Sequence, residues 1–73
     1  METASHEINP HALYPPETAG EILLRPATTL ANWRYRGGGP RFVKTGRRVL
    51  YRGQDLLNYL DQHTYSNTRE AAQ

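Results

Sequence analysis

The sequence predicts a small α+β domain with the element order helix, helix, strand, strand, helix. Apolar residues recur at helical spacing in two stretches before residue 37 and in one stretch after residue 53. Between them lie two short apolar runs, separated by Thr45 and Gly46, which is typical of a hairpin. A chain of 73 residues is sufficient for one small domain with a marginal core.

The first helix is predicted over residues 16–24. Pro16 suits the first turn of a helix, because its fixed φ is already helical and its missing N–H would have no partner there. Ala19, Ile22 and Leu23 then share one face at three- and four-residue spacing, so this face is expected to be buried.

The second helix is predicted over residues 27–36, after a break at Arg25 and Pro26. Leu30 and Trp33 lie together on its inner face, and a tryptophan brings a large apolar area to a narrow stripe. Two short helices joined by a short turn are typical of a helix-turn-helix, in which the second helix is the recognition helix.

The strands are predicted over residues 41–44 and 47–51, with Thr45 and Gly46 as a two-residue turn. A glycine-rich loop, residues 37–40, precedes them. It follows a helix and lacks the lysine-threonine ending of a nucleotide-binding loop, so helix exit and close backbone packing are the favoured interpretation.

In this register Phe42 lies opposite Val49. The face expected to pack on the core carries Pro40, Phe42, Val49 and Tyr51. The face expected to be wet and basic carries Arg41, Val43, Arg48, Leu50 and Arg52. A bulge at Gly46 would shift the register by one residue and exchange the two faces.

The third helix is predicted over residues 53–63, with Leu56, Leu57 and Leu60 as its apolar stripe. The folded domain is therefore expected over residues 12–64. The flanking residues, 1–11 and 65–73, are polar and without periodicity, which predicts a disordered N-terminal tail and a flexible C-terminal tail. The predicted core consists of Leu23, Leu30, Trp33, Phe42, Val49, Tyr51, Leu56 and Leu60. This order of elements is that of a small winged helix-turn-helix.

Charge is distributed unevenly along the chain, although the formal net charge is only +2. Between Ile22 and Gln54 there are eight basic residues and no acidic one, and all seven acidic residues lie outside that window. Such a stripe attracts polyanions and predicts binding that depends on salt. A plain solvated charge run is the alternative, but ordinary surfaces mix both signs.

Several classes of protein are disfavoured by the composition. The chain has no cysteine, which excludes disulfides and thiolate zinc sites. His6, His11 and His63 are scattered, so no metal or other cofactor is expected, and no carboxylate pair or nucleophile-base set predicts an enzyme. No apolar run reaches membrane-spanning length and no signal-peptide core is visible, so a cytoplasmic, nucleoid-associated location is expected.

Two stretches of the chain resemble a known family. The first begins at Leu13 and reads Leu-Tyr-x-x-Glu-x-Ala-x-Glu-Ile-Leu. The second and more specific one reads Thr29-Leu30-x-x-Trp33-Arg34, followed by Gly39-Pro40-x-Phe42-Val43-Lys44-x-Gly46-Arg47-Arg48-Val49. Over residues 13–63 the chain resembles the MerR-like winged-helix family of excisionases and AlpA-type regulators. It departs from the family at Leu24, where the turn usually has glycine, and at Pro26, where a serine usually caps the recognition helix.

The resemblance implies binding to double-stranded DNA, with the second helix in the major groove and the hairpin wing on the backbone or minor groove. The base-reading positions it implies are Thr28, Thr29, Asn32 and Arg36. The positions it implies for phosphate or minor-groove contacts are Arg34, Arg41, Lys44, Arg47 and Arg48. Asparagine suits adenine and arginine suits guanine by bidentate geometry. Tyr35 is equally suited to DNA contact and to packing on the wing, and Asn32 has a plain surface role as its alternative.

Three functions are compatible with this resemblance. The first is an excisionase, or recombination directionality factor, that binds repeated sites, bends DNA and directs a site-specific integrase toward excision of a mobile element. The second is a small AlpA-type transcription regulator, and the third is a phage packaging or replication module. Relatives of the first kind bind DNA head to tail, and the contact between copies is expected at Val43, Leu50 and Tyr59.

Overall fold

A computed structural model describes residues 7–71, which form four helices and one three-stranded antiparallel sheet. The elements are β1 (Leu13–Tyr14), α1 (Pro16–Leu23), α2 (Ala27–Arg36), β2 (Val43–Thr45), β3 (Arg48–Arg52), α3 (Gly53–Gln62) and α4 (Thr68–Ala71). The strand order is β1-β3-β2, so β3 lies in the centre. The predicted α+β class and the layout of a small winged helix-turn-helix are confirmed, and β1 and α4 are additions to the predicted elements.

The core contains one buried hydrophobic residue from each of α1, α2, β3 and α3. These residues are Ala19, Leu30, Tyr51 and Leu56. Partly buried side chains surround them, namely Tyr14, Ile22, Leu23, Trp33 and Val49. All of the predicted core residues except two therefore lie in this cluster or against it.

The two exceptions, Phe42 and Leu60, were predicted wrongly. Phe42 is 41% exposed and Leu60 is 40% exposed. Phe42 lies before β2, at the edge of the sheet, where its ring contacts Tyr51 with the centroids 6.4 Å apart. Leu60 lies on the last turns of α3, beyond Leu56, and every residue from 60 to 71 is exposed. No described element covers that end of α3. The buried part of its apolar stripe therefore ends one turn before the last apolar residue of the stripe.

The hairpin register also differs from the prediction. Val43 pairs with Leu50, and Thr45 pairs with Arg48, so Gly46 and Arg47 form the turn. Gly46 has a φ of 60°, which matches the first central position of a type II′ turn. Glycine occupies that position at little cost, and this moves the turn one residue along the chain.

The faces of the hairpin are nevertheless those predicted. Val49 pairs with Lys44 instead of Phe42, so the pairing shifts by two residues, and an even shift keeps each side chain on its own side of the sheet. Tyr51 is buried and Val49 is half-buried against the core, whereas Arg48 and Arg52 are exposed on the opposite face. The exchange of faces that a bulge would have produced does not occur.

A turn at residues 9–12 covers the beginning of α3. Gly53 N–H donates to the carbonyl of Ala12 at 2.9 Å, and Gln54 N–H donates to that of Pro10 at 3.1 Å. These bonds satisfy N-terminal donors of a helix whose N-cap residue makes no side-chain capping bond. A Cβ atom at Gly53 would collide with the carbonyl oxygen of Asn9, so only glycine fits beneath the turn.

Residues 9–11, which the composition assigned to a disordered tail, therefore belong to the folded unit. They had no apolar periodicity because they contact α3 through backbone groups rather than side chains. Residues 1–6 of the predicted tail lie outside the described residues.

The segment predicted as a flexible C-terminal tail contains the short helix α4. Asn67 Oδ1 accepts a hydrogen bond from Glu70 N–H at 2.8 Å. The Glu70 carboxylate accepts hydrogen bonds from the backbone N–H and the hydroxyl of Ser66, and these bonds lower the pKa of Glu70. Asparagine followed three residues later by glutamate resembles a capping box, which accounts for a helix in a polar stretch. Residues 72–73 lie outside the described part of the chain.

Candidate nucleic-acid interface

The outward face of α2 is mostly polar and exposed to solvent. Its exposed residues are Thr28, Ala31, Asn32, Tyr35 and Arg36. None of their side chains makes a hydrogen bond to a described residue, and Tyr35 is 92% exposed. Thr29 is half-buried on the flank, so it is less accessible than the other predicted base-reading residues. A helix with such a face is available for contact along its whole length.

The turn between α1 and α2 is tight and strained at one residue. Arg25 N–H donates to the carbonyl of Gly20 at 2.8 Å, and a Cβ at Gly20 would lie 2.5 Å from Arg25 O. Leu24 has a φ of 58° and a ψ of 42°, the left-handed conformation that favours glycine. Its side chain is 86% exposed, so little burial compensates for the strain.

The glycine-rich loop ends α2 and packs on it, as predicted. Gly37 has a φ of 91°, and its N–H donates to the carbonyl of Trp33 at 2.8 Å. Gly39 has a φ of 79°, and a Cβ there would lie 2.7 Å from Trp33 Cε3. Trp33 in turn contacts Tyr59 of α3, with the ring centroids 5.5 Å apart. The loop therefore leaves the helix and immediately covers its tryptophan.

Arg34 points from α2 toward the sheet rather than outward. Its Nη1 donates a hydrogen bond of 2.7 Å to Tyr51 Oη. The guanidinium carbon lies 5.8 Å from the ring centroid of Phe42 and 5.9 Å from that of Tyr51, within the range of cation–π attraction. Arg34 thus joins α2 to the base of the hairpin, a role that the resemblance did not imply.

The hairpin and the loop before it carry five exposed cations, namely Arg52 and the four predicted DNA contacts, Arg41, Lys44, Arg47 and Arg48. Within residues 7–71 the only ion pair joins Arg52 to Asp55, with Nη1 and Oδ2 3.6 Å apart. The other four cations therefore have no acidic partner in the described part of the chain. Unneutralised charges of one sign produce a positive potential that attracts polyanions. Arg25 is a further exposed cation that the site prediction omitted, although it lies in the acid-free window.

The apolar residues expected between copies occupy different environments. Val43 and Leu50 are direct cross-strand partners and are both half-buried, on the face opposite the core. The ring of Tyr59 lies 5.5 Å from that of Trp33 and 4.2 Å from that of His63, measured between centroids. Tyr59 therefore contributes to packing within the chain, and the Val43–Leu50 pair is the freer apolar surface.

In comparisons with protein families, curated proteins and solved structures, the chain matches none. No helix among residues 7–71 is both long enough and apolar enough to cross a bilayer. In the same residues, no group of three or more histidine and acidic side chains is arranged to hold a metal ion.

Proposed function

We propose that this chain binds double-stranded DNA sequence-specifically, as a member of the MerR-like winged-helix family of excisionases and AlpA-type regulators. The observation that carries the proposal is the pairing of two surfaces. A helix with an uncommitted polar face lies beside a hairpin on which Lys44, Arg47 and Arg48 are exposed and have no acidic partner among residues 7–71. The polar face of the helix would read the edges of the bases, and the cationic hairpin would bind the phosphates.

The outward face of α2 fits the major groove in size and chemistry. An α-helix with its side chains is about 10–12 Å across, and the major groove of B-DNA is about 12 Å wide. Asn32 near the middle of the face suits adenine through its bidentate amide, and Arg36 at the end suits guanine. Thr28 can donate to or accept from a base edge.

The hairpin supplies the electrostatic part of the interface. Each cation that neutralises a phosphate releases counterions, so Lys44, Arg47 and Arg48 would make binding strongly dependent on salt. These contacts carry no sequence information by themselves, but they fix the position of α2 in its groove.

The finer role that we propose is that of an excisionase. One domain of this size covers few base pairs and has limited affinity alone. Copies on adjacent repeats would raise that affinity, and the half-buried Val43–Leu50 pair offers a small apolar contact between neighbours. A row of cations that follows the backbone would also favour a bent DNA path, which an integrase could then use.

Selection from a random duplex library, followed by footprinting around the chain's own gene, tests this function. We expect protection of repeated sites beside an attachment site, and a rise in excision when the chain is added to the neighbouring integrase. Protection of a promoter alone would replace excision by transcription control. A failure to protect any duplex at low salt would contradict DNA binding itself.

A further inference from the structure

Gly38 differs from every other glycine of the chain. All six glycines lie within residues 7–71, and five of them are required by the fold. The five are required by positive φ, by close packing or by both: Gly20, Gly37, Gly39, Gly46 and Gly53. Gly38 does not have a positive φ that would favour glycine, and no atom of residues 7–71 lies within 4 Å of the position that its Cβ would occupy.

A glycine in such a position destabilises the fold relative to alanine. Glycine gives the unfolded chain more conformational entropy than alanine does, and at this position no contact in the folded chain compensates for that entropy. Nothing within the fold therefore requires glycine at position 38. We expect glycine there because another molecule approaches the main chain closely at this point.

The surroundings of Gly38 indicate the chemistry of that approaching group. Gly38 lies in an open groove between the end of α2 and the hairpin, lined by Arg34 and residues 37–42. The residues that line the groove include Arg34 and Arg41 and no acidic residue. Of the guanidinium nitrogens of Arg34, only Nη1 donates a hydrogen bond to a described residue. The backbone N–H of Gly39 donates to no described residue. Cationic side chains and an unpaired backbone donor suit an anionic oxygen.

We propose that this groove binds one phosphodiester of the DNA backbone, with Gly38 at the point of closest approach. The inference rests on the proposed function, and it assigns to the glycine-rich loop a phosphate contact of its own, beside Arg34 of the recognition helix. A DNA strand that passes from the groove occupied by α2 toward the hairpin would cross this groove of the protein. Arg34 and Arg41 would then hold the phosphate, and the absence of a Cβ would let it approach the loop backbone.

The test compares Gly38→Ala and Gly38→Leu with the wild-type chain. Gly38→Ala should raise the Tm by about 2–8 °C, because it removes unfolded-state entropy at a compatible position. Both variants should nevertheless bind more weakly, Gly38→Leu by about tenfold or more, and the loss should be equal on an enriched duplex and on unrelated DNA. Ala71→Leu adds a similar side chain to the exposed helix α4 and should bind like the wild type.

Ethylation of single phosphates in the enriched duplex identifies the contact. One phosphate whose ethylation blocks the wild-type chain should no longer matter for Gly38→Leu, while the other interfering phosphates remain. Wild-type affinity and an unchanged interference pattern in Gly38→Leu would overturn this inference and leave the proposed function intact. A wild-type chain that binds no duplex would overturn both.

Discussion

Arg34 Nη1 lies 2.7 Å from Tyr51 Oη, and this hydrogen bond links the candidate recognition helix to the central strand of the sheet. The Tyr51 side chain is the largest in the buried core, yet its hydroxyl reaches a cation at the surface of α2. Phe42 covers the same guanidinium from the hairpin side, at 5.8 Å. One arginine of α2 therefore contacts both the central strand and the residue that precedes β2.

Tyr51→Phe should lower the free energy of unfolding by about 1–2 kcal/mol, because it removes a charge-assisted hydrogen bond and keeps the ring. Urea denaturation measures this loss. Tyr35→Phe is the matched control, since Tyr35 is 92% exposed and its hydroxyl has no partner in the described residues. The control should unfold like the wild type.

The same hydrogen bond predicts coupling between its two partners. Arg34→Gln and Tyr51→Phe should each destabilise the fold, and the double variant should lose less than the sum of the two. Fully additive losses in urea denaturation would show that the two side chains do not act as a pair.

Leu24→Gly should stabilise the chain by about 0.5–1 kcal/mol, since it relieves a left-handed residue at a small entropic cost. Thermal denaturation checks this change. Leu24→Ala keeps the unfavourable φ of 58° and should gain little. Equal Tm values for the two variants would mean that the backbone at Leu24 is not strained.

Trp33→Ala should destabilise the chain by about 3 kcal/mol or more, because it removes the side chain that packs on Tyr59 and lies beneath Gly39. A domain of this size has only about 5 kcal/mol in total, so the variant should be largely unfolded by circular dichroism. Tyr35→Ala, on the opposite face of α2, should melt cooperatively near the wild-type temperature. The reverse order of the two variants would contradict the assignment of the faces.

A chain that begins at Leu13 should be less stable than one that begins at Glu7. The shorter chain loses the carbonyls of Pro10 and Ala12 that accept hydrogen bonds from α3. The loss should be about 1–3 kcal/mol, measured at a salt concentration high enough to screen the new N-terminal charge. Identical melts would show that the turn at residues 9–12 contributes nothing to stability.

The helices could be predicted well because their signals are local. The predicted bounds of α2 are those observed, and α1 and α3 end within one residue of the prediction. Proline at the helix starts, glycine at the exit of α2 and apolar residues at helical spacing were sufficient. The hairpin register was missed although the sequence contained its signal. A two-residue turn with a single glycine favours type II′, which has the glycine at its first central position. The turn was instead centred on Thr45 and Gly46.

The remaining differences depend on tertiary contacts that no local pattern encodes. The resemblance implied that Arg34 is a phosphate ligand, and only the position of Tyr51 shows its second role. Phe42 was predicted to be core because it lies on the same face of the predicted hairpin as Tyr51, but it lies at the edge of the sheet. The turn at residues 9–12 contacts α3 through backbone atoms, which leave no trace in side-chain composition.

The measurement that tests the central claim most directly compares Asn32→Ala with Arg47→Ala on an enriched duplex and on unrelated DNA, over a range of salt. Arg47→Ala should weaken binding to both duplexes and reduce the salt slope by about one unit. Asn32→Ala should lose about 1–3 kcal/mol on the enriched duplex alone, with its salt slope unchanged. Equal losses for both variants on unrelated DNA would contradict the division between a base-reading helix and a phosphate-binding hairpin.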